Sequence, residues 1–224
     1  MDLSNKKFIS IGGGCFSNIL LTRLDKLTNQ SIRVAGPIDN LRSIHGILGS
    51  LHLFDGSLEE ELLGPNANPI ITTKKDGKKA FDEVDKEFKF KNFAIIHNDW
   101  TSEKCKTELK RRFDNFYDFY EKSKTDNNYW FVYTLCEFDK HNVEEVKEIQ
   151  SKLNELGILD RLIIIGEQPT FELKENVKPN NELGWPKFDF QEWKEVFGER
   201  YIVIDEANYY DLAAEKFLNV LKRI

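Results

Sequence analysis

The chain has 224 residues, 40% of them hydrophobic and 31% charged, enough to bury a core that needs no staples. A formal net charge of −6 excludes the cationic excess of a nucleic-acid-binding surface. Three cysteines at irregular spacing, with no Cys-x-x-Cys or His-x-x-x-His pair, argue against a disulfide framework and a structural zinc site.

In chain order, the first apolar run, residues 8–11, reads as a strand. It is followed by Gly12, Gly13 and Gly14, and then by Cys15 at the head of an amphipathic helix over 16–27. A second strand over 32–35 leads through Gly36 and Pro37 to Asp39, which reads as the cap of a helix beginning at Asn40. His45 and His52 fall in an amphipathic stretch and read as packing residues. Residues 64–79 read as a surface excursion or a hairpin. A third strand, 93–97, ends in His97, with Asp99 close behind, and Thr101 with Ser102 reads as the N-cap of a helix over 103–122. The basic stretch from Lys104 to Arg112 is interrupted by Glu108 and reads as a solvated helix face.

Strands over 130–135, 162–165 and 201–204 alternate with helices over 143–156 and 209–221, and a short helix surrounds Trp193. Gly157 ends the 143–156 helix as its C′ residue. His141, at the start of that helix, reads as exposed, and Cys105 and Cys136 as core or edge positions. Residues 171–189, which hold Trp185, read as a lid or substrate loop, or simply as a connection. The alternation predicts one α/β domain over 1–224, a three-layer, Rossmann-like sandwich on a mostly parallel sheet. No run is long enough to cross a bilayer and the N-terminus has no signal-peptide core, so the protein is expected in the cytoplasm with no membrane partner.

The chemistry centres on Cys15. Glycines turn the backbone tightly and uncover its N–H groups, and a helix N-terminus lowers the pKa of a thiol placed there. The same N–H groups can receive an oxyanion. Three readings stand side by side: Cys15 as nucleophile, Cys15 as a small buried hydrophobe, or a glycine turn that cradles phosphate. Gly12-x-Gly14-x-x-Ser17 is only part of a dinucleotide fingerprint, because Ser17 stands where a third Gly or Ala belongs. A nucleophilic thiol needs a base, for which His97 is the candidate, and an acid to orient it, for which Asp39 and Asp99 compete.

The segments SIGGGCFSNILLTRL, GPIDNLRSI, IIHNDW and ELKRRFDNFYDFY carry a resemblance. Together they resemble a bacterial family labelled, by prediction, papain-like cysteine peptidases. That family has a Gly/Cys strand end, a Pro-Phe-Asp-Trp segment, a His-Asp pair and an Arg-Arg helix. The resemblance maps these onto Cys15, Pro37 with Asp39, His97 with Asp99, and Arg111 with Arg112. Two departures stand out: Pro37–Asn40 reads Pro-Ile-Asp-Asn, and Asn98 separates His97 from Asp99. The order Cys15, Asp39, His97 also differs from the Cys, His, Asn order of papain-like enzymes. A strand, a turn and a nucleophile opening a helix is the layout of serine esterases and lipases.

Acyl-transfer chemistry at a cysteine is therefore the expected function, with Cys15, His97 and Asp39 or Asp99 catalytic. Gly13, Gly14, Arg111, Arg112 and Trp185 would contact a small-molecule, peptide or glycan-linked substrate, with no cofactor and no metal. The competing expectations are a transferase or nucleotide-sugar-binding protein that uses the Gly12–Gly14 turn, and a non-catalytic protein that meets a partner or glycan through the Trp185–Trp193 region.

Overall fold

Alternation along the strands builds the molecule. A computed structural model describes residues 3–12, 16–74, 85–95, 99–166, 190–203 and 210–222. In chain order they form β1 (Lys7–Ser10), α1 (Phe16–Thr28), β2 (Arg33–Val34), β3 (Leu41–Ser43), α2 (Gly46–Ser50) and α3 (Ser57–Leu63). Then come β4 (Ile70–Lys74), β5 (Asp85–Lys89), β6 (Phe93–Ile95), α4 (Glu103–Ser123) and β7 (Tyr129–Thr134). The last are α5 (Val143–Glu155), β8 (Leu162–Gly166), α6 (Gln191–Phe197), β9 (Tyr201–Val203) and α7 (Tyr210–Leu221).

Five strands form an all-parallel sheet in the order β2-β1-β7-β8-β9. Successive residues of a strand face opposite sides, so each strand divides its apolar residues between two layers. Phe8, Val132, Ile163 and Ile165 pack with Leu20, Leu21 and Leu24 of α1 and Phe217 of α7. Ile9, Phe131, Tyr133, Leu162 and Ile164 face the other way, onto Phe113, Phe116 and Phe119 of α4 and Val146 and Ile149 of α5. That is the expected three-layer α/β sandwich. Leu162–Gly166 is buried along its whole length, as its unbroken apolar run requires.

Counted within this sheet the order is 2-1-3-4-5, a doubly wound arrangement in which the direction of strand addition reverses between β1 and β7. The C-terminal ends of those two strands therefore flank the switch-point crevice. Among the described residues, no helix is long and apolar enough to cross a membrane.

The described residues of the 93–97 run, 93–95, do not join this sheet. Their strand, β6, pairs antiparallel with β3 and β5 in a second sheet ordered β3-β6-β5-β4. Three buried apolar residues in a row read the same in either kind of sheet, and only their neighbours decide. The partners β3 and β5 escape pattern reading because one has three residues and the other, DKEFK, is mostly charged. The second sheet sends Leu41, Phe88, Phe93 and Ile95 into the core on the α4 side. The excursion at 64–79 contains β4, which pairs antiparallel with β5, so the hairpin reading holds for the described part.

Candidate functional site

The flanks of the cysteine turn are fixed tightly. After β1 come Ile11 and Gly12, and α1 begins at Phe16; Gly13, Gly14 and Cys15 lie outside the described residues. Gly12 has φ +137, which favours glycine, and a Cβ there would collide with Ser50 Oγ and press on Tyr133 Cε2 at 3.0 Å. Its carbonyl accepts from Thr134 N at 3.4 Å, one step beyond the last β1–β7 pair, and from Ser17 Oγ at 3.3 Å. The Ser17 and Thr134 hydroxyls lie 2.6 Å apart, both fully buried.

A buried carboxylate lies behind this wall. Asp139 accepts from Ile47 N at 2.7 Å, from Cys136 N at 2.8 Å and from Tyr133 Oη at 2.9 and 3.1 Å. Its backbone carbonyl takes the Trp193 indole N–H at 2.9 Å. Burial pushes the Asp139 carboxyl up from its ordinary value, against the pull of those donors, and pushes the Tyr133 phenol up as well. Trp193 is fully buried and stacks on Phe197, so it is a core residue and not part of a contact surface. Trp185 and the rest of 171–189 lie outside the described residues. His141, expected to be exposed, has a side chain only 15% exposed, with its ring 6.2 Å from that of Trp193.

The segment after β2 runs along the same rim. A Cβ on Gly36 would come within 3.3 Å of Ser10 O, so this backbone lies against the end of β1. No helix begins at Asn40. Pro37–Asn40 is a single 3-10 turn that feeds straight into β3, because Leu41 is drawn into the antiparallel pair with Ile95. The backbone of Asp39 is thus in a turn, while its side chain, like all of His97, lies outside the described set.

Beside that pair is a cleft of about 230 Å³ floored by Leu41, Ile95 and Leu109 and rimmed by Asp99, Cys105, Glu108 and Arg112. Arg112 reaches it from α4, donating to Glu108 Oε1 at 2.8 Å and to the Gly36 carbonyl at 3.3 Å. Arg111, its neighbour, points outward and grips Glu108 with two bonds of 2.9 and 2.7 Å. The two guanidiniums, Arg111 foremost, pull Glu108 down to about 2. Of the arginine pair, Arg112 alone lines the cleft. Asp99 accepts from Thr101 N at 3.0 Å and from its hydroxyl, shaping the turn before α4. Burial, reinforced by Asp99 and opposed by Arg112, pushes the Cys105 thiol up, away from nucleophile character. His45 and His52 contact Lys91 O and Ser57 Oγ respectively, at 3.0 and 2.8 Å, and stay outside this constellation.

A family model described as "Putative papain-like cysteine peptidase (DUF1796)" matches residues 6–164. The chain belongs to this family. No curated protein and no solved structure matches it. For this papain-like peptidase family member, the matched span runs from β1 to β8.

Sequence reading of this family member passed over Thr134, Tyr133, Asp139 and Ser50. Ser17 was noticed only as the failure of a glycine fingerprint. The signal available was a polar residue inside an apolar run: Thr134 sits in WFVYTL and Asp139 just beyond it. Buried polar groups of that kind need partners, but the partners lie 117 and 92 residues away, at Ser17 and Ile47.

Proposed function

We propose that this chain is a cysteine-dependent hydrolase or acyltransferase with Cys15 as nucleophile, His97 as base and Asp39 as the orienting acid. The Cys15 thiolate attacks a carbonyl carbon, and backbone N–H groups of Gly13, Gly14 and Cys15 receive the oxyanion. His97 takes the thiol proton and returns it to the leaving group. Water, or an acceptor nucleophile, then releases the acyl group from the thioester. A peptide or a small ester or amide would be the substrate.

One observation carries the reading: the antiparallel register that pairs Leu41 with Ile95. Asp39 is two residues before Leu41 and His97 two after Ile95, so in this antiparallel register the chain runs to both from the same end of the pair. Each step spans about 3.8 Å, which keeps both residues within about 8 Å of a bonded pair. Gly36, packed on the end of β1, supports bringing that end of the second sheet to the rim where the cysteine turn begins. The register favours Asp39 over Asp99, whose carboxylate is engaged with Thr101.

The test is alkylation by limiting iodoacetamide at neutral pH, read by peptide mass spectrometry. Cys15 should label well ahead of Cys105 and Cys136. His97→Gln and Asp39→Asn should abolish ester or peptide turnover, whereas Asp99→Asn should retain it. A Cys15 that reacts no faster than the other two thiols overturns the reading.

The switch-point position of the glycine turn favours a second reading, a phosphate or nucleotide cradle at the same place. A thermal-shift screen with nucleotides and nucleotide sugars separates the two. Stabilisation that survives Cys15→Ala would favour the cradle.

A further inference from the structure

The layer under α1 is apolar throughout, built from Phe8, Val132, Ile163 and Ile165, except where it meets the cysteine turn. There Ser17 and Thr134 place two fully buried hydroxyls in contact. Ser10, on the same face of β1, adds a third buried hydroxyl that has no hydrogen-bond partner among the described residues. Desolvating hydroxyls is costly unless they are bonded, and valine or alanine would fill the Thr134 and Ser17 positions without that cost.

The bonds these hydroxyls make have a definite topology. Ser17 donates to Gly12 O, so Thr134 is the donor in the bond between the hydroxyls. The Thr134 backbone N–H also donates to Gly12 O. Gly12 immediately precedes the turn and Ser17 is the second residue of α1 after it, and both are tied to one residue of β7. A short connection whose two ends share one anchor has few conformations open to it.

We infer that Ser17 and Thr134 are positioning residues for the Cys15 thiol, a clamp acting through the two flanks of the turn that their bonds tie to β7. This rests on the reading of Cys15 as nucleophile. Neither hydroxyl touches substrate, and both act through the backbone of the turn. The clamp also accounts for the departure from the dinucleotide fingerprint, since its third position is occupied by the clamp's own hydroxyl.

The experiment measures the rate of Cys15 alkylation against pH in the wild type, Thr134→Val, Ser17→Ala and Thr134→Ser, with circular dichroism and Tm on each. Thr134→Val is isosteric and keeps the backbone bond to Gly12. It should slow Cys15 labelling by about tenfold at neutral pH and move the rate profile to higher pH, the scale of one buried hydrogen bond. Thr134→Ser, which keeps the hydroxyl, should restore the wild-type profile. Ser17→Ala removes the bond from the helix side and gives the same readout should Thr134→Val not fold. Unchanged rate and profile in both folded variants, beside a wild type that labels Cys15 selectively, overturns the clamp alone. A wild type with no selective Cys15 labelling overturns the catalytic reading and takes the clamp with it.

Discussion

Glu108 sits between two cations and decides where each arginine points. Arg111 holds it from the exposed side and Arg112 from the cleft, and these bonds depress its pKa from 4.5 to about 2. The sign follows from linkage: a carboxylate whose folded pKa is depressed adds stability above its unfolded pKa and loses it as pH falls through the folded one. The window is therefore pH 4.5 down to about 2. The Glu108 side chain is 40% exposed, so solvent screening limits the contribution to less than about 1 kcal/mol. Glu108→Gln should thus cost little at neutral pH and flatten the fall in stability on acidification. Urea denaturation of both proteins between pH 2.5 and 6 checks this, and identical slopes would show that the Arg111 and Arg112 bonds add nothing in solution. The rest of the basic stretch behaves as a solvated face, with Lys106 near Glu103 and Lys110 bridging Glu59 and Asp114.

At the scale of elements, α2 has five residues and cannot hold its own conformation as an isolated helix. It is pinned by Asp139, which accepts the Ile47 N–H, while Gly46 at φ +59 lies so close that a Cβ would collide with Asp139 Oδ1. Each Asp139 oxygen takes a backbone N–H, from Ile47 or Cys136, so Asp139→Asn sets an amide NH₂ against one of them whichever way it turns and should cost about 2–4 kcal/mol in urea denaturation. Hydrogen exchange should rise first across residues 46–50, and a loss below about 0.5 kcal/mol would mean the anchor lies elsewhere. Elements with local signatures were legible in the sequence. Ser102 caps α4 by accepting from Cys105 N, and Gly157 ends α5 at φ +69, with Ile158 N donating back to Leu153 O. The end of β1 was legible too, as a strand running into Gly12. What stayed hidden was long-range. Residues 93–95 belong to another sheet, Asn40 starts no helix, and the Ser17–Thr134 bond and the α2 anchor join residues far apart in the chain.

The whole molecule extends past the family's matched span, which stops at Ile164, and the remainder completes both faces of the sheet. On the α1 face, Ala213, Ala214, Phe217 and Leu221 of α7 and Ile202 of β9 bury Leu20, Leu21 and Leu24. On the other face, Trp193 and Phe197 of α6 join the larger cluster, and the Trp193 indole bonds the backbone of Asp139. Each large side chain stripped of its cover forfeits about 1.5–3 kcal/mol, and several such losses exceed the whole stability of an ordinary domain. A chain ending at Gly166 should therefore bind 8-anilinonaphthalene-1-sulfonate, lack a cooperative thermal transition and lose selective labelling of Cys15, although it retains every proposed catalytic residue. Restoring residues 167–224 on the same chain should recover all three properties together. A truncated chain that melted cooperatively and still labelled Cys15 first would show that the matched span folds by itself and that α6, β9 and α7 are an addition to a finished site.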